Sequence, residues 1–278
     1  MQANVDVKTV EGFGEEWSRF DQTGMPETEL NEQFDRYFAV FPFDSLPETA
    51  EGFDLGCGSG RWAKVMARKV GRLHCIDASA EALAVAKKNL AQTANVEFHH
   101  ATVAEIPLAD DSMDFGYSLG VLHHIPDTAE GIRSCVRKIK RSAPFLVYLY
   151  YAFDNRPAWF RAVWKISEVF RRAISKLPFG LKKIVTDGIA VAVYFPLAKI
   201  AGLLEKLGAD VESFPLSVYR HHSFYTMRTD ALDRFGTRLE QRFTRAEITA
   251  MMQSAGLENI RFSDGFPYWC AVGRKKKV

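Results

Sequence analysis

From residue 50 to residue 150, short apolar runs alternate with segments in which apolar residues recur every three or four positions. Short apolar runs are typical of buried strands, and the longer spacing is typical of helices that pack on a sheet. The alternation therefore predicts βαβ units that build a parallel sheet. The predicted strands are 52–55, 73–77, 96–100, 115–118 and 145–150, and the predicted helices between them are 61–70, 79–90 and 128–140.

Three predicted helices begin with side chains that can accept hydrogen bonds from the free N–H groups of a first turn. Ser79 precedes one of them, whereas Asp127 with Glu130 and Thr244 with Glu247 have the spacing of a capping box. The late part of the chain adds a predicted helix at 244–256 and predicted strands at 257–262 and 268–272.

After Tyr150 the pattern changes to that of a helical insertion. Residues 156–183 contain eight basic residues against one acidic residue, and their apolar positions predict an amphipathic helix with a cationic opposite face. Residues 184–204 are nearly all apolar, but two charged residues and a proline interrupt them, so a membrane span is disfavoured. We expect a buried lid helix. The alternative is peripheral membrane contact through residues 156–204, because cationic amphipathic helices with tryptophan bind anionic lipid surfaces.

Composition narrows the class of protein only slightly. Of 278 residues, 47% are hydrophobic and 25% charged, and the net charge is +2, which does not indicate a nucleic-acid partner. The four cysteines lack Cys-x-x-Cys spacing, and the first residues lack the regions of a secretory signal, so we expect a cytoplasmic protein. The acidic run Asp110, Asp111 and Asp114 falls in a predicted turn, where carboxylates are usually hydrated, and we expect no metal.

The stretch GFDLGCGSGRW at residues 52–62 joins a predicted strand to a predicted helix through Gly56, Gly58 and Gly60. Such a turn presents backbone N–H groups and a helix N-terminus, without side chains that would keep a polar ligand away. A dinucleotide-binding fingerprint requires a sixth-position glycine, counted from Gly56, where this chain has Arg61.

FDLGCGSGRWA resembles the first motif of class I S-adenosylmethionine (SAM) dependent methyltransferases. LHCIDAS, VEFHHATVAEIPLADDSMDF and SLGVLHHIPD resemble the family's next motifs in the same order. The resemblance implies an α/β fold, a doubly wound seven-stranded Rossmann-like sheet of order 3-2-1-4-5-7-6, with a helical lid inserted after the fifth strand. It also implies SAM as the cofactor and S-adenosylhomocysteine as the product.

In this family the glycine loop holds the methionine part of SAM, the acid after the second strand binds the ribose, and the turn after the third strand contacts the adenine. Relatives often carry an aspartate in that turn where this chain has Thr102. The segments 13–20 and 223–238 resemble a subgroup linked to polysaccharide or secondary-metabolite pathways, in which an N-terminal aromatic segment closes over the cofactor. The implied cofactor-binding residues are Asp54, Gly56, Gly58, Gly60, Arg61, Asp77, Ala78, Thr102, Val103, Leu119 and Trp17.

His123 and His124 lie in the motif that faces the acceptor, and either could take a proton from an acceptor hydroxyl near neutral pH or could orient the backbone. We favour O-methylation of a small-molecule, sugar or lipid-linked acceptor, with N-methylation of a small molecule as the alternative. Candidate acceptor-binding residues form a polar and aromatic cluster in the insertion: Tyr219, Arg220, His221, His222, Tyr225 and Arg228.

Together these patterns divide the chain into four predicted parts. Residues 1–45 form an N-terminal helical cap, 46–151 the SAM-binding core, 152–240 the helical lid and acceptor insertion, and 241–278 the completion of the core. An NAD-dependent oxidoreductase and a non-catalytic SAM-binding module remain as rival functions.

Overall fold

The computed structural model describes residues 4–277. Contacts between residues divide them into two compact units. The core unit comprises the described residues up to 23, residues 30–152 and those from 239 onward, and the inserted unit comprises residues 24–29 and 153–238.

Within the described residues of the core unit, seven strands form one sheet of order β3-β2-β1-β4-β5-β7-β6. The first five strands pair in parallel, and β7 runs antiparallel to β5 and β6. The predicted fold class and strand order are confirmed. The strands are β1 Glu51–Leu55, β2 Arg72–Asp77, β3 Val96–His100, β4 Phe115–Leu119, β5 Pro144–Tyr148, β6 Leu257–Phe262 and β7 Cys270–Lys275.

The helices of the core unit follow the predicted pattern with shorter ends. They are α1 Val7–Arg19, the greater part of α2 Glu27–Tyr37, α3 Arg61–Met66, α4 Ala80–Asn89, α5 Thr128–Lys138 and α10 Arg245–Ser254.

The predicted N-caps are confirmed, with one difference in detail. Ser79 and Asp127 accept hydrogen bonds from first-turn N–H groups, and Thr244 with Glu247 forms a full capping box. Glu130 does not complete the box at Asp127. Its carboxylate binds Arg133 at 2.8 Å instead.

The last strand extends further than predicted. The predicted strand ends at residue 272, but the backbones of Arg274 and Lys275 also pair with β5 and β6, so β7 ends at Lys275. Backbone pairing does not depend on side-chain charge, which is why the side-chain pattern missed these two residues.

Aromatic rings on β1 and β4 fill the centre of the core unit. Phe53 and Phe115 are fully buried, and each ring lies over a glycine of the neighbouring strand. A Cβ atom placed on Gly52 would lie 2.4 Å from the Phe115 ring, and one on Gly116 would lie 2.4 Å from the Phe53 ring. The two glycines thus make room for two large side chains at the strands that position the site.

The inserted unit consists of helices α6 Ala158–Ile174, α7 Phe179–Ile189, α8 Phe195–Lys206 and α9 Phe224–Gly236. A π-helical turn, Ala190–Tyr194, joins α7 to α8, so the helix continues from Phe179 to Lys206. Helix α9 packs against both α6 and α7, and α8 packs against the short helix Ser217–His221.

The prediction of a buried helix at 184–204 is wrong: residues 184–204 are helical, but most of them are not buried. The helix Phe179–Lys206 is long and apolar enough to cross a membrane by length and composition, yet only 28% of its most apolar window is buried. Its core is a small cluster of Ala190, Tyr194 and Ala198 with residues of α9. A few packed helices cover one side of it, and the apolar pattern alone did not reveal that the other side is open.

We expect Gly116→Ala to lower the free energy of unfolding by about 1–3 kcal/mol, because the added methyl group would overlap the Phe53 ring in a tightly packed core. Urea denaturation provides the measurement. Gly12→Ala is the matched control, since nothing lies within 4 Å of its added Cβ. Equal losses in the two variants would contradict this account of the core.

Candidate cofactor and active site

The loop after β1 is held in a conformation that favours glycine. Gly56, Gly58 and Gly60 have φ angles of +77°, +54° and +79°, a region that is strained for other residues. The N–H groups of Gly56 and Cys57 donate to the Ile76 carbonyl at 2.7 and 3.1 Å. The loop backbone is therefore fixed to the end of β2.

Asp77, at the end of β2, ties this loop from the other side. One carboxylate oxygen accepts from the Gly58 N–H at 2.8 Å, and the other accepts from the Ser79 N–H at 2.9 Å. Burial raises the pKa of Asp77, and these two hydrogen bonds act in the opposite direction. The acid predicted to bind a ribose thus also joins the glycine loop to the start of α4.

Asp54 is a buried acid at the end of β1. The pKa of Asp54 is raised to about 8, because burial penalises its charged form more than the nearby Tyr117 and Arg61 favour it, and the charge of Asp77 adds to the shift. Its Oδ2 has no hydrogen-bond partner among the described residues. A buried oxygen in this state is suited to a ligand that brings a cationic donor.

Polar groups elsewhere around the loop are buried in the same way. The Thr102 hydroxyl, in the turn after β3, has no partner in the part of the chain that the structure describes, and the neighbouring Val103 is buried. The Ser59 hydroxyl of the glycine loop is also buried without a partner among residues 4–277. Sequence reasoning missed Ser59, although its place between two glycines of the motif was a signal.

The N-terminal helix α1 lies against the glycine loop. A Cβ atom placed on Gly58 would lie 3.0 Å from the Trp17 indole nitrogen, and one on Gly14 would lie 2.6 Å from the Ser79 hydroxyl. The structure therefore places Trp17 beside the loop that it was predicted to cover. Closure over a cofactor stays a prediction.

Asn89 of α4 fixes the same region and was not singled out in the sequence. Its side-chain amide donates to the Asp21 carbonyl at 2.7 Å and to the Ser59 carbonyl at 2.9 Å. It therefore joins the segment that follows α1 to the glycine loop.

Other predicted cofactor residues lie at the same edge of the sheet. Arg61 begins α3 and stacks over Trp62 at 4.3 Å from the ring centroid. The Ala78 carbonyl lies 3.0 Å from the His100 ring nitrogen, and Leu119 is buried at the end of β4. The structure thus brings all of these residues to the carboxyl ends of the parallel strands, where ligands bind in open α/β sheets.

The loop after β4 carries both histidines and lies next to the glycine loop. A Cβ atom on Gly56 would lie 2.3 Å from the Val121 side chain, and a short helix, Leu122–His124, follows directly. The His124 N–H donates to the Val121 carbonyl at 2.9 Å.

His123 is fully buried and stacks on Tyr150 with 3.9 Å between the ring centroids. The pKa of His123 lies well below its usual value because burial penalises the imidazolium, and the charges of His124 and Arg242 add to this effect. The ring is thus a neutral packing element.

His124 differs from its neighbour because its tautomer is set. Its Nδ1 lies 2.6 Å from the Leu239 carbonyl oxygen. Since a carbonyl only accepts, Nδ1 carries the proton and Nε2 keeps the lone pair. The ring packs against Phe13 at a centroid distance of 5.0 Å. The structure therefore gives different surroundings to two histidines that the sequence could not distinguish.

The candidate acceptor residues all lie in the inserted unit, on the short helix Ser217–His221 and on or next to α9. Arg228 forms two bonds of 3.0 Å to the Asp187 carboxylate, and Arg220 lies 2.7 Å from Glu205. An anionic acceptor would have to compete with these acids. Other contacts of this cluster include His221 to Glu205 at 2.9 Å, Tyr219 to the rings of Tyr194 and His222, and Tyr225 against Gly24.

The acidic run before β4 is bound by lysines. The pairs are Asp110 with Lys138 at 2.7 Å, Asp111 with Lys275 at 2.9 Å and Asp114 with Lys140 at 2.7 Å.

One other group in the described part of the chain has the spacing of metal ligands, namely His74, Glu97 and His99 on β2 and β3. Hydrogen bonds account for it: His74 lies 2.8 Å from Glu51 through Nε2 and 2.9 Å from His99 through Nδ1.

The seven-stranded sheet of this order, with a left-handed glycine loop after β1 and an acid at the end of β2, is the architecture implied by the resemblance to class I SAM-dependent methyltransferases. The chain is a member of that class, as the sequence motifs predicted. Within it, residues 53–147 match the family model described as a methyltransferase domain.

Curated relatives agree with this assignment. The chain is 28% identical over 180 residues to the ubiquinone biosynthesis O-methyltransferase of Sodalis glossinidius, covering 61% of this chain and 69% of that protein. It is 36% identical over 89 residues to the protein of the same name from Alkalilimnicola ehrlichii, covering 31% of this chain but only 36% of that protein.

Solved structures share the fold. A chain in the Haloferax volcanii complex between the Trm112 methyltransferase activator and a methyltransferase superposes with a TM-score of 0.53 at 15% identity, covering 95% of this chain and 97% of that one. Phosphoethanolamine N-methyltransferase 2 of Haemonchus contortus, in complex with SAM, gives 0.51 at 15% identity, covering 93% and 44%. At this identity the likeness concerns the fold alone.

The residues present fit SAM. Asp54 offers a buried acceptor for an ammonium group, Thr102 offers a buried hydroxyl, and the glycine loop has no side chains in the way. An α-ammonium and a ribose diol would satisfy groups that otherwise carry an uncompensated cost of burial.

The ligand-free protein should become less stable between pH 4 and pH 8 because of Asp54. The pKa of Asp54 is about 8 in the folded protein against 3.8 for an unperturbed aspartate, so its contribution to the free energy of unfolding is full at low pH and is lost as the pH rises through the folded pKa. We expect Asp54→Asn to remove more than about 1 kcal/mol of this loss. Chemical denaturation at pH 5 and pH 8 checks the prediction, and an identical pH dependence in both proteins would refute it.

Proposed function

We propose that this chain transfers a methyl group from SAM to a hydroxyl of a small-molecule, sugar or lipid-linked acceptor. The observation that carries the proposal is the tautomer of His124. Its Nδ1 carries the proton, so Nε2 of the neutral ring can accept one. Val121, three residues earlier, lies next to Gly56 of the glycine loop. A hydroxyl acceptor needs such a base, whereas a neutral amine does not. Two curated relatives named ubiquinone biosynthesis O-methyltransferase add support for O-methylation.

The core unit supplies the groups that would hold the cofactor. Asp54 would pair with the ammonium group of the methionine part, and the glycine loop would follow its backbone. Asp77 would accept from the ribose hydroxyls, because a carboxylate has about four acceptor sites and two are in use here. Thr102 and Val103 would flank the adenine.

When bound, SAM supplies a sulfonium methyl group that passes to a nucleophile as the carbon–sulfur bond breaks and S-adenosylhomocysteine forms. The task of this chain is to orient the acceptor, exclude water and remove one proton. His124 Nε2 would take the hydroxyl proton, and the Leu239 carbonyl would stabilise the imidazolium through Nδ1–H. The buried ring of His123 would hold His124 in place, with 4.0 Å between the two centroids.

The acceptor would be recognised by the inserted unit through its polar and aromatic cluster. Tyr219 and Tyr225 offer ring faces, and Arg220 and Arg228 offer guanidinium groups held in place by Glu205 and Asp187. A guanidinium fixed by an internal acid is oriented before a ligand arrives, and this favours a neutral polar acceptor over a strongly anionic one.

Asp77→Ala should weaken S-adenosylhomocysteine binding by about 10- to 100-fold, since hydrogen bonds to a charged group contribute about 1.5–3 kcal/mol each. Isothermal titration gives the affinity. Asp110→Ala, whose carboxylate pairs with a surface lysine, is the control and should bind normally. Thermal stabilisation by NAD in place of S-adenosylhomocysteine would overturn the assignment and favour an oxidoreductase.

His124→Asn should lower the methylation rate at least 100-fold while leaving S-adenosylhomocysteine affinity unchanged, because Asn can still donate to the Leu239 carbonyl but has no basic nitrogen. His123→Phe, which preserves a flat ring against Tyr150, should retain most of the rate. Labelled SAM with an extract of small molecules and lipids reports both rates. An unchanged rate in His124→Asn would favour N-methylation, and no labelled product from the unmodified chain would favour a binding module.

A further inference from the structure

The outward side of α6 in the inserted unit is apolar. Trp159, Val163, Ile166 and Phe170 are spaced by four, three and four residues, so they share one face of the helix. They are 51%, 53%, 61% and 60% exposed. We call these four residues the α6 stripe. Contiguous exposed apolar surface of this kind marks a site of interaction.

The orientation of α6 is fixed by its opposite side. Arg171 is buried and binds Glu168 at 2.6 Å and the Thr237 carbonyl at 2.7 Å. Trp164 packs on Phe153 with 5.4 Å between the rings. The stripe is therefore the face that remains open once α6 has packed within its own unit.

A row of cations runs along one edge of the stripe. Arg161, Lys165 and Arg172 are exposed, and their spacing of four and seven residues places them on one line of α6 between the buried side and the stripe. Lys176, which is also exposed, follows two residues after the end of α6. In the described part of the chain, Arg161, Lys165 and Lys176 have no acidic partner, and Arg172 lies 3.3 Å from Glu168. Long cationic side chains beside an apolar stripe can place their charges at a headgroup layer while their stems stay in apolar surroundings.

The helix Phe179–Lys206 also has an apolar outward side, with its small residues buried and its larger apolar residues exposed. Its inward side is built largely from alanines, such as Ala190, Ala198 and Ala201. Its outward side carries the larger apolar residues, namely Leu181, Ile184, Val191, Ile200 and Leu203, all at least 45% exposed. A helix of a water-soluble domain normally buries its larger apolar residues, because the removal of apolar surface from water is favourable and grows with the area buried.

The charge of this segment indicates which partner covers these faces. Residues 156–206 contain ten basic and three acidic residues, a net charge of +7, whereas the whole chain carries +2. The three acids are paired within the unit: Glu168 with Arg171, Asp187 with Arg228, and Glu205 with Arg220. A second copy of the chain would bring cations against cations, but an anionic bilayer offers apolar surface and negative charge together.

We propose that the inserted unit binds the surface of an anionic lipid bilayer through the α6 stripe, its cation row and the outward side of Phe179–Lys206. The helix Phe179–Lys206 lies on the bilayer and does not cross it, since Asp187, with its Lys183 and Arg228 partners, occupies its middle part and its inward side packs on α9. This binding does not depend on methyl transfer. It would, however, bring the core unit to acceptors dissolved in the bilayer.

Flotation with vesicles tests the proposal on the full chain. The chain should float with phosphatidylcholine vesicles that contain about one third phosphatidylglycerol, and binding should fall at least tenfold with pure phosphatidylcholine or at high salt. Lys165→Glu with Lys176→Glu should lower affinity for the anionic vesicles at least tenfold. Val163→Asp with Ile166→Asp should abolish flotation.

Val7→Asp is the matched control, because Val7 is an equally exposed valine (60%) that belongs to the core unit. This variant should float as the unmodified chain does. S-adenosylhomocysteine affinity without vesicles should be the same in all variants, so a failure of methyl transfer and a failure of lipid binding are separate results. Three outcomes would overturn the proposal: equal flotation of all variants, a dimer in solution that the stripe variants dissociate, or a chain that only detergent can extract.

Discussion

The structure of the site depends on the two hydrogen bonds that the Asp77 carboxylate accepts from the N–H groups of Gly58 and Ser79. A loop with three left-handed glycines has much conformational freedom to lose, so it needs fixed partners to hold one shape. Asp77 supplies them, together with the Ile76 carbonyl. The contacts of Trp17 and Val121 with the loop exist only because its backbone is held there.

The same site contains acids that burial makes costly. The pKa values of Asp54 and Asp77 are both raised by burial, and the charge of Asp77 raises the pKa of Asp54 further. Natural proteins seldom keep a buried polar atom without a partner unless it serves function. A cationic ligand would relieve this cost, and the groups that weaken the ligand-free protein are the ones that would bind the cofactor.

The inserted unit follows a different physical rule. Its packed interior is small, with alanines facing α9, and its large apolar side chains face outward. Such a unit gains little from its own core and much from a surface that covers it. The three acids within residues 156–206 are paired with arginines of the same unit, so the exposed charge of this segment is positive. Lipid contact and acceptor recognition would both be properties of this unit, whereas the cofactor site belongs to the core unit.

The sequence by itself determined the parts of the fold that local chemistry controls. Strand positions follow from apolar runs, helix starts from Ser79, Asp127 and Thr244, and the loop from its glycines, because capping and left-handed φ depend on the residue itself. The strand order and the class came from a resemblance spread over several motifs; the sheet confirmed the order, and the match of residues 53–147 to a methyltransferase domain supports the class.

Only the tertiary structure decided which of the two adjacent histidines has its Nδ1 held by a backbone carbonyl, because that depends on Leu239, 115 positions away. It also decided that Asp54 is buried without a partner for Oδ2 among the described residues and that the apolar helix after α6 is exposed. An apolar run has the same pattern whether its cover is protein or lipid. The burial of a side chain and its hydrogen-bond partners depend on which distant segments pack against it in the fold, and the order of residues along the chain does not show that.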